Sequence, residues 1–476
     1  MRFNEYAEYD GVGLAELVAK REVTPLELVD AAIERIERHN GLLNAVVYQA
    51  LDQARSVAAS PLPSGPFKGV PFLIKDLGLK VTGWPRTSGS RFVCSTVDSS
   101  DSELVRRYRA SGLVLLGKTN TPEFGITGTT ESAHLGPCRN PWDSAHIAGG
   151  SSGGSASAVA AGIVPIAHAS DGLGSIRIPA ACCGLVGLKP TRDRTPHGMG
   201  DWEYATGWVH DHVVSRTVRD SAAMLDATDS PEPACPYGRP AKSGPYIDEV
   251  SRDPGKLRIA WSAETPNGKA VDPEIQAALE NTVGLLQSLG HQMMPRGLGV
   301  DYRALYGAQR QVSAANFAAA MSRRISEVGR EPEREELEPL TWALLEAGRR
   351  ISGAEAMTGW QTLRVLSRVI LALFEEVDVY LSPVLGTPPP EIGYIDPVRL
   401  EPKEVQRRQG IAFPFTPPFN FTGQPCISLP LWHSKAGLPI GMMFAGRYGD
   451  EATLFQLAGQ LEKEIPWNGR RPPIWN

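Results

Sequence analysis

Two segments of this 476-residue chain gather small nucleophilic side chains among glycines: GGSSGGSASAVAAG, residues 149–162, and DGLGSIRIPA, residues 171–180. Together they hold five serines and seven glycines. A serine hydroxyl at its ordinary pKa is a poor nucleophile. Catalysis by any of these serines therefore requires a base within hydrogen-bond reach and donors for the oxyanion that forms. Ser151 and Ser152 each sit in a G-x-S-x-G pattern, the nucleophile elbow, which demands a strand directly before it. The preceding NPWDSAHIA contains Pro141 and Asp143 and lacks strand alternation, so the elbow context fails.

The base must come from elsewhere. The nine histidines, His39, His134, His146, His168, His197, His210, His212, His291 and His433, are scattered through unrelated contexts, and the plain reading of each is structural or solvated. His210 and His212 could share one strand face and reach a metal, but Asp211 would then point the other way and no third histidine is near. A lysine is the alternative. Lys75 closes the apolar run VPFLI, where a strand would deliver it into a cleft, and desolvation there would lower its pKa towards neutrality. The same residues also fit a surface pair of Lys75 and Asp76 at a strand end.

Positioning these residues requires a substantial core, and the composition supplies one. Hydrophobic residues make up 42% of the chain and the net charge is −5, which describes a globular protein. Basic residues occur only in short clusters such as Arg106-Arg107 and Arg470-Arg471, so nucleic acid is not an expected partner and a small molecule is. The segment MRFNEYAEYDG has no apolar core of signal-peptide length, and no apolar run reaches the roughly 20 residues that span a bilayer. The expectation is a cytoplasmic protein without a membrane partner. Six cysteines without CxxC spacing read as reduced structural thiols, and the vicinal Cys182-Cys183 cannot easily chelate one ion or form a bridge without strain. The oligomeric state is left open, a homodimer included.

TPLELVDAAIERIERHNG predicts a helix with Thr24 as N-cap, Pro25 at the first position, Glu27 closing a capping box and Asn40-Gly41 as the stop. The runs NAVVY, VPFLI, LVLLG, GIVPIAH and LVGL read as strands, with helices such as DSELVRRYRASG between them. A Pro-rich connector follows between residues 229 and 256, and KLRIAW then begins a strand. The next helix starts at Asp272-Pro273 and carries Ile275, Leu279, Val283, Leu286 and Leu289 on one face. A charge-rich helical block is expected from about residue 301 to 376, as an insertion shaping a substrate pocket. VDVYLSP, CISLPL and IGMMFAG return to strands before the final helix DEATLFQLAGQLEKE. Strands alternating with helices imply an α/β layer architecture.

At this point the residues resemble the amidase signature hydrolases. Lys75 follows an apolar strand, GGSSGG includes Ser151, and Ser175 stands in a D-x-x-G-S-I-R context. LLGKTNTPEFG, NPWD, CGLVGLKPTR, PFNFTGQPCISLP and GLPIG also match, so the likeness covers nearly the whole chain, while DGLGSIRIP and PWNGRRPP point to one branch of the family.

The resemblance implies a single domain over residues 1–476, a mixed central sheet covered by helices on both faces, and a catalytic core at about 70–220. It implies amide hydrolysis with esterase activity beside it, no metal or organic cofactor, and a triad in which Ser175 is the nucleophile, a cis Ser151 relays its proton and Lys75 is the terminal base. It further implies an oxyanion hole of the Gly172, Leu173, Gly174 and Ser175 amides. Asp171 and Arg177 then support the loop, and Gly125 and Thr127 lie on the substrate side. One departure stands out: Leu173 occupies a position where the family commonly has glycine, which bears on substrate range more than on the chemistry. The alternative within the same family is the glutaminase subunit of a tRNA-dependent amidotransferase.

Overall fold

The computed structural model describes residues 5–475 except 198–203, 231–232, 234, 236–239 and 243. The Pro-rich connector therefore lies partly outside the described residues. Within it, Tyr246–Glu249 forms a short helix that the sequence did not mark.

The capping box expected at Thr24 is present: the Thr24 hydroxyl accepts from the Glu27 amide and the Glu27 carboxylate accepts from the Thr24 amide. The helix runs to Leu43, beyond the expected stop. Gly41 meets nothing around it and is tolerated. Asn44 is the residue that takes the left-handed conformation at the end, while the Asn40 side chain accepts from the amides of Ala45 and Val46. A polar side chain that satisfies the exit of the helix thus outweighs a glycine inside its last turn.

Among the described residues eleven strands form one mixed sheet: β1 (Val46–Gln49), β2 (Pro71–Lys75), β3 (Val114–Thr119), β6 (Ile166–Asp171), β7 (Val186–Lys189), β8 (His210–Ser215), β9 (Arg258–Trp261), β10 (Gln292–Pro295), β11 (Val379–Pro383), β12 (Cys426–His433) and β13 (Pro439–Gly446). Their spatial order is β1-β3-β2-β6-β8-β7-β12-β13-β11-β9-β10. Glu131–Ser132 (β4) and Gly136–Pro137 (β5) make a separate two-stranded ladder. β2 runs parallel to β3 and β6, and β8 lies antiparallel to β6 with Ser170 opposite Asp211. Helices bury both faces, as the alternation along β13 shows: Met443 and Ala445 enter one apolar core, Met442 and Phe444 the other.

The run GIVPIAH becomes a strand only from Ile166, because Ile163 still closes the turn after the preceding helix. β8 and β10 were not among the expected strands. HDHVVS hides its pairing behind two histidines and an aspartate, and β10 is a partly exposed edge of four residues.

The helical block consists of Tyr302–Val328, Pro339–Arg350 and Gly353–Glu376. A small cluster of Phe92, Val93, Ala318, Met321, Leu337 and Leu345 fastens it to the loop after β2. No helix among the described residues is long and apolar enough to cross a membrane.

Candidate active site

Lys75 ends β2 fully buried. Its Nζ lies 2.7 Å from Ser151 Oγ and 3.0 Å from Ser170 Oγ. The surface-pair reading fails, because Asp76 turns to Lys118 Nζ at 3.6 Å and takes hydrogen bonds from Thr87. Burial pulls the Lys75 amine down to about 7, and only the negative charges of Asp211 and Asp171 resist the fall.

Ser151 precedes the helix Gly153–Ala160, every residue of which is buried. The stretch before it is irregular apart from the isolated bridges of Arg139 and His146, so the elbow pattern indeed lacks its strand. The Gly150–Ser151 bond is cis, which is the arrangement the resemblance implies. Two glycines make room for this hydroxyl. A Cβ on Gly154 would stand 2.3 Å from the Asn120 nitrogen, so the helix could not approach β3 as it does. At Gly125, φ is 69° and a Cβ would come within 3.1 Å of Ser151 Oγ.

Ser175 sits half-buried between β6 and the helix Arg177–Cys183. Asp171 organises its loop. One carboxylate oxygen accepts from the Gly174 amide at 2.6 Å, and the other accepts from the Ile176 amide. Arg177 grips both oxygens, at 2.9 and 3.0 Å. Asn420 donates to Asp171 and accepts from Arg177, and the Thr416 hydroxyl donates to the Leu173 carbonyl at 2.6 Å. Burial alone would raise the Asp171 carboxyl, but the Arg177 charge and hydrogen bonds hold it well below the usual carboxylate range.

Of the four amides expected to form the oxyanion hole, that of Gly174 donates to Asp171, whereas those of Gly172, Leu173 and Ser175 have no hydrogen-bond acceptor among the described residues.

A cavity of about 1540 Å3 opens onto Ser151, Ser170 and Ser175. Gly125, Thr127, Gly172 and Leu173 line it, as do Tyr302, Tyr306 and Phe317 of the helical block. The Thr127 hydroxyl already donates to the Thr129 carbonyl at 2.9 Å. Among the described residues no group of three His, Cys, Asp or Glu side chains is placed to hold a metal.

A family model for amidases matches residues 27–455. The chain belongs to the amidase family. It is thus a hydrolase of carbon–nitrogen bonds in amides. It is 37% identical to the 6-aminohexanoate-cyclic-dimer hydrolase of Paenarthrobacter ureafaciens, over 98% of this chain and 97% of that one. A solved structure of a 6-aminohexanoate cyclic dimer hydrolase complexed with substrate superposes with a TM-score of 0.92 at 36% identity, covering 99% of this chain and 100% of the other. A bacterial aryl acylamidase of the amidase signature family follows at TM-score 0.88 and 27% identity, over 97% and 99% of the two chains. The branch expected from DGLGSIRIP and PWNGRRPP is the one that contains these cyclic-dimer hydrolases.

Several residues of the amidase site escaped the sequence. Ser170 could have been found from strand parity, since it shares a face of β6 with His168. Thr416 and Asn420 act from more than 230 positions away, as the separations of 239 and 243 from Arg177 show; Asn420 lies in the PFNFTGQPCISLP motif, but nothing in that motif ties it to Arg177.

Replacing Arg177 by alanine would leave Asp171 as an uncompensated buried charge, which costs about 3–5 kcal/mol. Thermal unfolding should register a correspondingly large loss of stability. An Arg177→Ala protein as stable as the parent would show that the pair does not hold the loop.

Proposed function

We propose that this amidase cleaves its substrate through an acyl-enzyme on Ser175, with Ser151 as proton relay and Lys75 as terminal base. The observation that carries the reading is the 2.7 Å contact between a fully buried lysine amine and Ser151 Oγ at the floor of a cavity that also exposes Ser175. A lysine in water is an ammonium at neutral pH and cannot accept a proton. This one, drawn down to about 7, can.

Ser175 Oγ attacks the amide carbonyl carbon while its proton passes to Ser151 Oγ, and the Ser151 proton passes to Lys75 Nζ. The amides of Gly172, Leu173 and Ser175 receive the oxyanion. As the tetrahedral intermediate collapses, the proton returns by the same path to the leaving nitrogen. Water then releases the acid from Ser175 by the reverse sequence. Esters follow the same route, since the nucleophile does not require nitrogen in the leaving group.

The cavity exceeds the roughly 300–1,000 Å3 of ordinary ligand pockets, and the helical block lines it with Tyr302, Tyr306 and Phe317 among polar and charged side chains such as Gln309, Arg310 and Asn316. Together with the cyclic-dimer hydrolase relatives this supports bulky linear or cyclic amides as substrates, with Leu173 trimming the inner end. The glutaminase-subunit alternative draws no specific support from these features.

Ser175→Ala should abolish turnover and labelling by a fluorophosphonate probe while leaving the thermal transition in place. Peptide mapping should find the adduct on Ser175 in the parent, and an adduct on Ser151 or Ser152 would contradict the assignment. Activity should fall as pH drops through about 7, because protonating Lys75 removes the base. In Lys75→Ala most activity should be lost and this acid limb with it. A limb that persists unchanged in the mutant would identify another group as the base.

A further inference from the structure

Behind Lys75 lie four ionisable side chains that the chemistry above does not use: His168, Asp211, His197 and Asp193. The Lys75 amide donates to His168 Nδ1 at 3.3 Å, so the imidazole proton resides on Nε2. Nε2 faces Asp211 Oδ1 at 3.0 Å. On its other side, Asp211 Oδ2 stands 3.6 Å from His197 Nδ1, and His197 Nε2 lies 3.4 Å from Asp193. The Thr195 hydroxyl donates to the Asp211 carbonyl. Asp211 is 3% exposed, and what remains accessible faces the catalytic cavity.

We infer that Asp211, held by His168 and His197, is the counter-charge that stabilises the protonated Lys75 formed while Ser175 is acylated. Asp211 touches no reacting atom and acts through Lys75. The inference rests on Lys75 being the terminal base, as proposed above.

The charges around the amine support this role. Ser151 and Ser170 are neutral. Asp171 is matched by Arg177, and Lys118 on β3 by Asp76. The Tyr108 ring beside His168 keeps its proton, since burial pushes its phenol well up. Burial lowers His168, leaving it a neutral donor to Asp211. Burial also opposes protonation of His197, but contacts with Asp193 and Asp211 raise it to about 9. For Asp211 burial acts upward, and the hydrogen bond to His168 and the ion-pair contact with His197 bring it to about 2. Two carboxylates thus share one imidazolium, and a net negative charge remains beside the amine that becomes positive during acylation.

Two substitutions should move Lys75 in opposite directions. Asp211→Asn removes the negative charge, makes protonation of Lys75 harder and shifts the acid limb to lower pH, by about one unit. His197→Gln removes a positive charge that partly neutralises Asp211, makes protonation easier and shifts the limb to higher pH. The readout is the rate of Ser175 labelling by a fluorophosphonate in the full-length protein, followed by mass spectrometry across pH 5–10 (roughly two to three units either side of the Lys75 transition). Opposite shifts are the expected result. Limbs that coincide with the parent, or that move the same way, would overturn the inference. If Asp211→Asn does not fold, the upward shift in His197→Gln decides alone. The Lys75→Ala control separates the two levels: a limb lost there but unmoved in both variants defeats only the role of Asp211. A limb that survives there defeats the base assignment and this inference with it.

Discussion

Removing one amine from water is the constraint on which this site depends. Among the described residues no carboxylate is bonded to Lys75 Nζ, which meets two hydroxyls at 2.7 and 3.0 Å. A charged ammonium in that setting is disfavoured, whereas a neutral amine is a strong base ready to accept a proton. Everything nearby serves to keep the amine dry and aligned. β2 ends there between two parallel neighbours, and the helix behind Ser151 is built of residues small enough to close the gap.

The second support is the buried pair of Asp171 and Arg177. It fixes the turn between β6 and the next helix through both side chains and backbone amides, and it extends to Asn420 and the Thr416 carbonyl near the far end of the chain. The Ser175 loop is thereby fastened to the C-terminal part of the chain, while Lys75 and Ser151 belong to the N-terminal part. The site lies where these parts meet, and the helical block closes its outer side with aromatic and polar side chains. Side chains can change there without disturbing the contacts of Lys75 with Ser151 and Ser170.

How much of this was legible in the sequence follows from physical range. VPFLIK declared a buried strand with a lysine at its end, because a short continuous apolar run fits a strand covered on both faces. The capping box at Thr24 was readable because all its partners lie within three residues. The helix Gly153–Ala160 showed no period, since every position is buried and small. The loop of residues 172–175 could be picked out as a stretch of chemistry, but the hydrogen bond of the Gly174 amide could not be foreseen without the side-chain direction of Asp171. His168, Asp211 and His197 read as unrelated because only the pairing of β6 with β8 and the return of the chain near residue 197 bring them together.

The most direct test of the central claim is the titration of Lys75 itself. In protein labelled with 13C at lysine Cε, the Lys75 resonance can be identified by its disappearance in Lys75→Arg and followed against pH by NMR. The account predicts a transition near 7. A resonance that remains that of an ammonium until the ordinary lysine value of about 10.4 would contradict it.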